Sequence, residues 1–164
     1  MKTLRILFLI ILLIPVQIKI SVAQNVNYSG EWKINKEKTG SAGDYQYSLV
    51  SIKINLSKDS LLTTRVYENA NGEEYSFVEN LSLDGKESDI TVFGMPRTSK
   101  ASVPGKDGFV YVESTIVVNS EKRTTKEVWS IESDGKTLTV SFTTITPGIA
   151  DKVGKKYFEK SIKN

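Results

Sequence analysis

The sequence predicts an all-β fold, an antiparallel up-and-down meander of about eight to ten strands closed into a barrel. Three observations carry this expectation. Ten segments have strand character, turn-forming residues separate most of them, and no segment offers a 3.6-residue apolar period. Short loops force sequential antiparallel neighbours. An open meander of that length leaves two aggregation-prone edges, which closure removes. A twisted sandwich is the competing architecture, because hairpin signals alone do not fix closure.

The elements follow in order. EWKIN (31–35) opens the series, and VSIKINL (50–56) alternates, placing Val50, Ile52, Ile54 and Leu56 on one face. LLTTRVYE (61–68), EYSFVENLSL (74–83), DITVF (89–93) and RTSKASV (97–103) come next. GFVYVESTIVV (108–118), TKEVWSIE (125–132), KTLTVSFTTI (136–145) and KKYFEK (155–160) complete the set. Between them stand Lys58-Asp59-Ser60, Asn71-Gly72, Asp84-Gly85, Pro104-Gly105 and Asp134-Gly135. Asn-Gly and Asp-Gly supply the positive φ angles that tight hairpin turns need. The longest irregular stretch, KEKTGSAGDYQYS (36–48), contains Gly40, Ser41, Gly43 and Ser48, which argue against a helix. A connection of that length is often a lid or binding loop.

The first 23 residues read as a secretory signal peptide. Lys2 and Arg5 precede the apolar run ILFLIILLIPV (6–16), and Ser21 and Ala23 are the small residues a signal peptidase reads. The run is too short for a stable membrane span. Residues 24–164 are then a single domain of 141 residues, expected in the periplasm or outside the cell, as a monomer with no stable membrane insertion after cleavage. Lys2, Arg5 and Lys19 leave with the signal, so 19 basic residues balance 19 acidic ones and the net charge falls to zero. A neutral chain with scattered charges offers no general grip on nucleic acid. The basic end, with Lys152, Lys155, Lys156, Lys160 and Lys163, reads as a solvated edge strand. A secreted chain of this size without cysteine must rely on its core, which favours a bacterial source.

Several short motifs carry a family resemblance. SGEWKINKEKT (29–39) near the start, LDGKE (83–87), YVEST (111–115) and KEVWSIESDGKTLTV (126–140) are joined by the closing aromatic strand KKYFEK. Together they resemble lipocalin-like proteins secreted by bacteria, calycin-type antiparallel barrels that bind small apolar molecules in a central cavity. The resemblance implies that Gly30 lets the chain turn across the closed end of the barrel and that Trp32 plugs that end. Two departures stand against it. The Thr-Asp-Tyr-type turn of typical lipocalins is missing, and no Arg sits on the last strand to cover the Trp, where Lys155 and Lys156 occupy the region.

The absences bound the chemistry. Without His or Cys there is no usual zinc site, no His-based acid–base catalysis and no thiol nucleophile. No nucleophile elbow or phosphate-binding Gly loop is present. The expectation is a protein that is not an enzyme and carries no metal or cofactor. Charges that share a strand face with apolar residues are the more useful signal. Arg65 with Tyr67, Phe77 with Glu79, Tyr111 with Glu113, and Glu127 with Trp129 are the candidate ligand-binding residues, because a ligand cavity is mostly apolar with a few placed polar groups. Arg65 could grip a carboxylate beside Glu79, Glu113 or Glu127. Periodicity does not choose the inward face, and the opposite face of the 108–118 segment (Val110, Val112, Ile116, Val118) is the more strictly apolar. The expected role is non-covalent binding of a small, mostly apolar molecule inside the barrel. An interaction module using loops or the outer face is the rival, and a carboxylate-based enzyme acting inside the barrel is a weaker one.

Overall fold

A computed structural model describes residues 26–40, 46–103 and 107–161. The expected signal peptide, the Pro104-Gly105 turn and Lys163 lie outside these residues. The chain forms β1 (Gly30–Ile34), one helical turn α1 (Lys36–Thr39), β2 (Tyr47–Leu56), β3 (Ser60–Asn69), β4 (Glu74–Ser82) and β5 (Ser88–Val92). It continues through β6 (Met95–Ser102), β7 (Val110–Val118), β8 (Glu121–Ile131), β9 (Thr137–Ile145) and β10 (Lys152–Lys160). All pairings are antiparallel, and the sheet order is β4-β3-β2-β1-β10-β9-β8-β7-β6-β5. The meander therefore curls until β1 meets β10, giving a nearly closed barrel with its one seam between β4 and β5.

Four local expectations are corrected. The connection after β1 does contain a helical turn. Asn35 caps it by accepting from the Lys38 N–H at 2.8 Å, and the Tyr157 N–H donates to Thr39 Oγ1 at 3.0 Å, fixing the turn on β10. The face of β2 switches, because a bulge between Leu49 and Ser51 turns Leu49 inward instead of Val50. The strand β7 points Val110 and Val112 into the core, so Phe109, Tyr111 and Glu113 face outward. Finally, β10 is no edge strand. It pairs with β1 on one side and β9 on the other, so the parity that buries Phe158 also turns Lys156 inward.

The two ends of the barrel differ. Toward the end that carries Gly30 and the β2–β3 and β8–β9 turns, the inward side chains Trp32, Ile54, Leu61, Leu81, Ala101, Val110, Leu138 and Phe158 are 2% exposed or less. Tyr28 crosses this end with its hydroxyl 2.8 Å from the carbonyls of both Gly108 and Trp129. Trp32 donates its Nε1–H to the Tyr28 carbonyl at 2.8 Å, and the Lys160 ammonium lies 5.2 Å from its ring centroid. The closing strand covers Trp32 with Lys160, two residues beyond the buried Phe158, whereas Tyr157 faces outward. Gly30 holds φ 137°, and a Cβ there would stand 3.0 Å from Lys160 Cε.

Trp32→Ala is therefore expected to cost about 3–5 kcal/mol, as large aromatic deletions in cores do. Gly30→Val should lose about 1–3 kcal/mol through the barred backbone angle. Urea unfolding beside the wild type measures both, and a Trp32→Ala cost under about 1 kcal/mol would mean that Trp32 is no plug.

Candidate functional site

Midway up the barrel the apolar filling gives way to charge. Arg65 on β3 reaches across the interior to Glu127 on β8, donating from both terminal nitrogens at 2.9 and 2.8 Å to the two carboxylate oxygens. Its guanidinium carbon lies 5.3 Å from the Trp129 ring centroid, and Trp129 Nε1–H donates to Glu127 Oε2 at 2.8 Å. Glu79 on β4 stands 3.5 Å from an Arg97 nitrogen on β6, which links the two walls across the β4–β5 seam. Arg97 also donates from Nε to Ser99 Oγ at 3.1 Å. Lys156 joins from β10, with its ammonium 5.5 Å from the Phe142 ring centroid.

The electrostatics follow from burial and pairing. Burial by itself would raise the Glu127 carboxyl, but the Arg65 charge and hydrogen bonds, aided by Arg97 and Trp129, outweigh it and hold the group at about 2. Burial would likewise weaken the charge on Arg65, yet Glu127 more than offsets this, so the guanidinium stays protonated. Burial lowers the Lys156 ammonium, with Glu127 opposing and Arg65 and Lys152 adding to the effect. Three cations and two carboxylates thus share one layer.

Beyond that layer the interior becomes wet. Tyr67 and Phe77 and, from the facing strands, Ile116, Thr125, Phe142 and Thr144 all point inward by strand parity, yet they are only partly buried. Solvent therefore enters from the end that carries the β3–β4, β5–β6, β7–β8 and β9–β10 turns. One rim of this mouth is aromatic. Phe93, in the β5–β6 turn, stacks on Tyr47 with centroids 4.0 Å apart and packs edge-on against Phe77 at 4.7 Å and Tyr67 at 5.4 Å.

Of the residues expected from sequence, Arg65, Tyr67, Phe77, Glu79, Glu127 and Trp129 converge on this interior. Trp129 is fully buried beneath Arg65. Tyr111 and Glu113 do not belong, because the parity that buries Val110 and Val112 puts them outside, where Glu113 pairs with Lys100 at 2.9 Å. Sequence reasoning missed Arg97, Lys156, Phe93, Tyr47 and Thr63. Lys156 was findable, since it shares a face with Phe158; the β6 segment is polar on both faces and gave no such signal. An open polar groove of about 600 Å³ beside α1, lined by Lys38, Glu132, Asp134, Thr137 and Tyr157, lies outside the barrel. Its Asp134 is already held by Thr137 and by backbone N–H groups.

No protein-family model and no curated protein matches the chain. Among solved structures it is similar to the crystal structure of secretory abundant heat soluble protein 4 from Ramazzottius varieornatus. The identity is 13%, the TM-score 0.54, and the match covers 84% of this chain and 96% of that one. At this identity the likeness is one of fold.

The buried pair makes two expectations. Glu127 has its pKa depressed on folding, so its stabilisation is present at neutral pH and is lost as pH falls from about 4.5 through about 2. Arg65→Met strands a buried carboxylate and should cost about 3–5 kcal/mol at pH 7. In that variant stability should instead rise as pH falls from 7 toward about 4.5, because burial then raises the stranded Glu127 carboxyl and the folded protein takes up the proton first. Urea unfolding of both proteins between pH 7 and pH 2.5 measures this; parallel pH profiles would show that the pair does not set acid stability.

Proposed function

We propose that the protein binds a small, mostly apolar molecule non-covalently in the wet half of the barrel, without chemistry, metal or cofactor. The observation that carries this reading is the combination of inward-facing yet partly exposed apolar side chains with a charged layer beneath them. Apolar walls supply most of the binding free energy, and a few placed polar groups orient the ligand. Phe77, Tyr67, Ile116 and Phe142 are the walls, and Arg65, Glu79 and Glu127 lie on the floor. The aromatic rim at Phe93 and Tyr47 borders the entrance.

Export belongs to the same reading. The first 23 residues have the signal-peptide pattern, and the similar solved structure is titled secretory. Kinship with bacterial lipocalin-like proteins rests on the sequence motifs. Mass analysis of the exported protein should find a chain starting at Gln24, whereas an intact Met1 would sink this part.

The binding test uses an environment-sensitive apolar dye. Saturable binding at one per chain is expected, and Thr125→Trp, which fills the wet half, should weaken it at least about tenfold. Val117→Trp, on the exposed outer face of β7, should leave it unchanged. Absence of saturable binding, or equal effects of the two variants, would favour an outer-surface interaction module instead. Native mass spectrometry of protein purified from its own host should reveal the bound molecule directly.

A further inference from the structure

Among the described residues, three buried side-chain polar atoms in the interior have no hydrogen-bond partner: Thr63 Oγ1, Arg65 Nε and Glu79 Oε1. Their residues are 1%, 4% and 3% exposed. They are also neighbours. Thr63 and Glu79 stand directly opposite each other in the β3–β4 ladder, and Arg65 lies two residues along on the same face as Thr63. Buried polar groups in native proteins are almost always paired, and leaving a charged one unpaired is especially costly. Three unpartnered polar atoms on neighbouring residues are ones that a polar group could satisfy.

The unpartnered atoms specify the chemistry of such a group. Both terminal nitrogens of Arg65 are held by Glu127, so Nε is left to donate and needs an acceptor. The other oxygen of Glu79 faces Arg97, so Oε1 needs a donor. Thr63 can serve either way. We propose that Thr63, Arg65 and Glu79 form a subsite for the hydroxyl group of an otherwise apolar ligand, its body lying between Phe77, Tyr67, Ile116 and Phe142. A hydroxyl accepts from Arg65 and donates to Glu79 at once. An ether can only accept, an ammonium can only donate, and a carboxylate can only accept while facing the Glu79 charge. Both chain alcohols and ring alcohols carry this group. A buried water has the same two capabilities and is the competitor for the place.

This subsite rests on the proposal that the barrel interior binds ligands, and the test separates the two. The bound dye is displaced from the full protein at pH 7.5 by 1-dodecanol, dodecyl methyl ether, dodecanoate and cholesterol. Dodecanol should displace at least about tenfold more effectively than the ether or dodecanoate, as expected for a buried polar site left unpaired. The cholesterol arm tells a chain alcohol from a ring alcohol. In Glu79→Gln, which removes the repelling charge and adds a donor, the preference for dodecanol over dodecanoate should shrink to within about threefold. The wild-type ranking stands as a test even if that variant folds poorly. Equal displacement by all head groups would mean that water keeps the place, and tighter binding of dodecanoate would mean an anion site. Either result, or dye binding that no probe displaces, overturns the subsite and leaves barrel binding intact, whereas no dye binding, or dye binding that Thr125→Trp leaves unchanged, removes both.

Discussion

The Arg65–Glu127 pair is the constraint on which the arrangement of this barrel depends. Its partners sit on β3 and β8, which are separated in the sheet by β2, β1, β10 and β9, so the pair spans the interior from wall to wall. Burying two charges is costly, and only good geometry repays it. Here both terminal nitrogens engage both oxygens, the indole N–H of Trp129 adds a third bond to the carboxylate, and the indole face receives the guanidinium. The gain is mainly one of specificity. Sliding β8 by one residue would turn Glu127 and Trp129 outward and leave Arg65 buried without its partner. The broken ion pair adds to the cost of the apolar side chains that the same slip turns to solvent. The pair therefore ties together the registers of two strands that share no ladder.

The position of the charged layer has a physical reason as well. It lies between a dry end, filled by Trp32, Leu138 and Phe158, and a half that water reaches from the mouth. Charges placed among the dry residues would lack neighbours to hydrogen-bond. Placed higher they would be solvated and weak as anchors. At the boundary, Glu79, Arg97 and Lys156 are held by the protein on one side and border the half that water reaches on the other. Lys156 shares in this, since burial makes its charge more costly to keep than that of a surface lysine and so lowers its pKa.

The fold was legible because strand alternation and turn chemistry are local properties. Every one of the ten expected segments forms a strand, and Asn71-Gly72, Asp84-Gly85 and Asp134-Gly135 all place glycine at positive φ in a connection. Which face points inward is not a local property. In β7 both faces carry apolar residues, and the valines win because they meet Glu127 and Trp129 of β8 from within. In β10 the lysines suggested solvent, but strands on both sides fix the parity and bury Lys156 with Phe158. The helical turn at Lys36–Thr39 was hidden for another reason. It is one turn long, too short for periodicity, and depends on a cap from Asn35 and a tertiary bond to Tyr157.

The seam between β4 and β5 shows how side chains complete what the backbone leaves open. No ladder joins these strands; an isolated bridge between Asp84 and Ser102 crosses at the closed end, and the Glu79–Arg97 contact and Phe93 span the seam above it. Phe93 and Gly94 form the two-residue turn between Val92 and Met95, and both hold positive φ, 51° and 76°. Such a turn favours Asn or Asp before the glycine, and a bulky aromatic there is strained by about 1–3 kcal/mol. The strain is offset by what the ring touches. Tyr47, Tyr67, Tyr75 and Phe77 all pack on it, and aromatic pairs contribute about 0.5–1.5 kcal/mol each beyond area burial. An Asn at this position would relax the turn but leave the seam without its aromatic closure. The backbone preference yields because the ring, unlike the strand edges, reaches across.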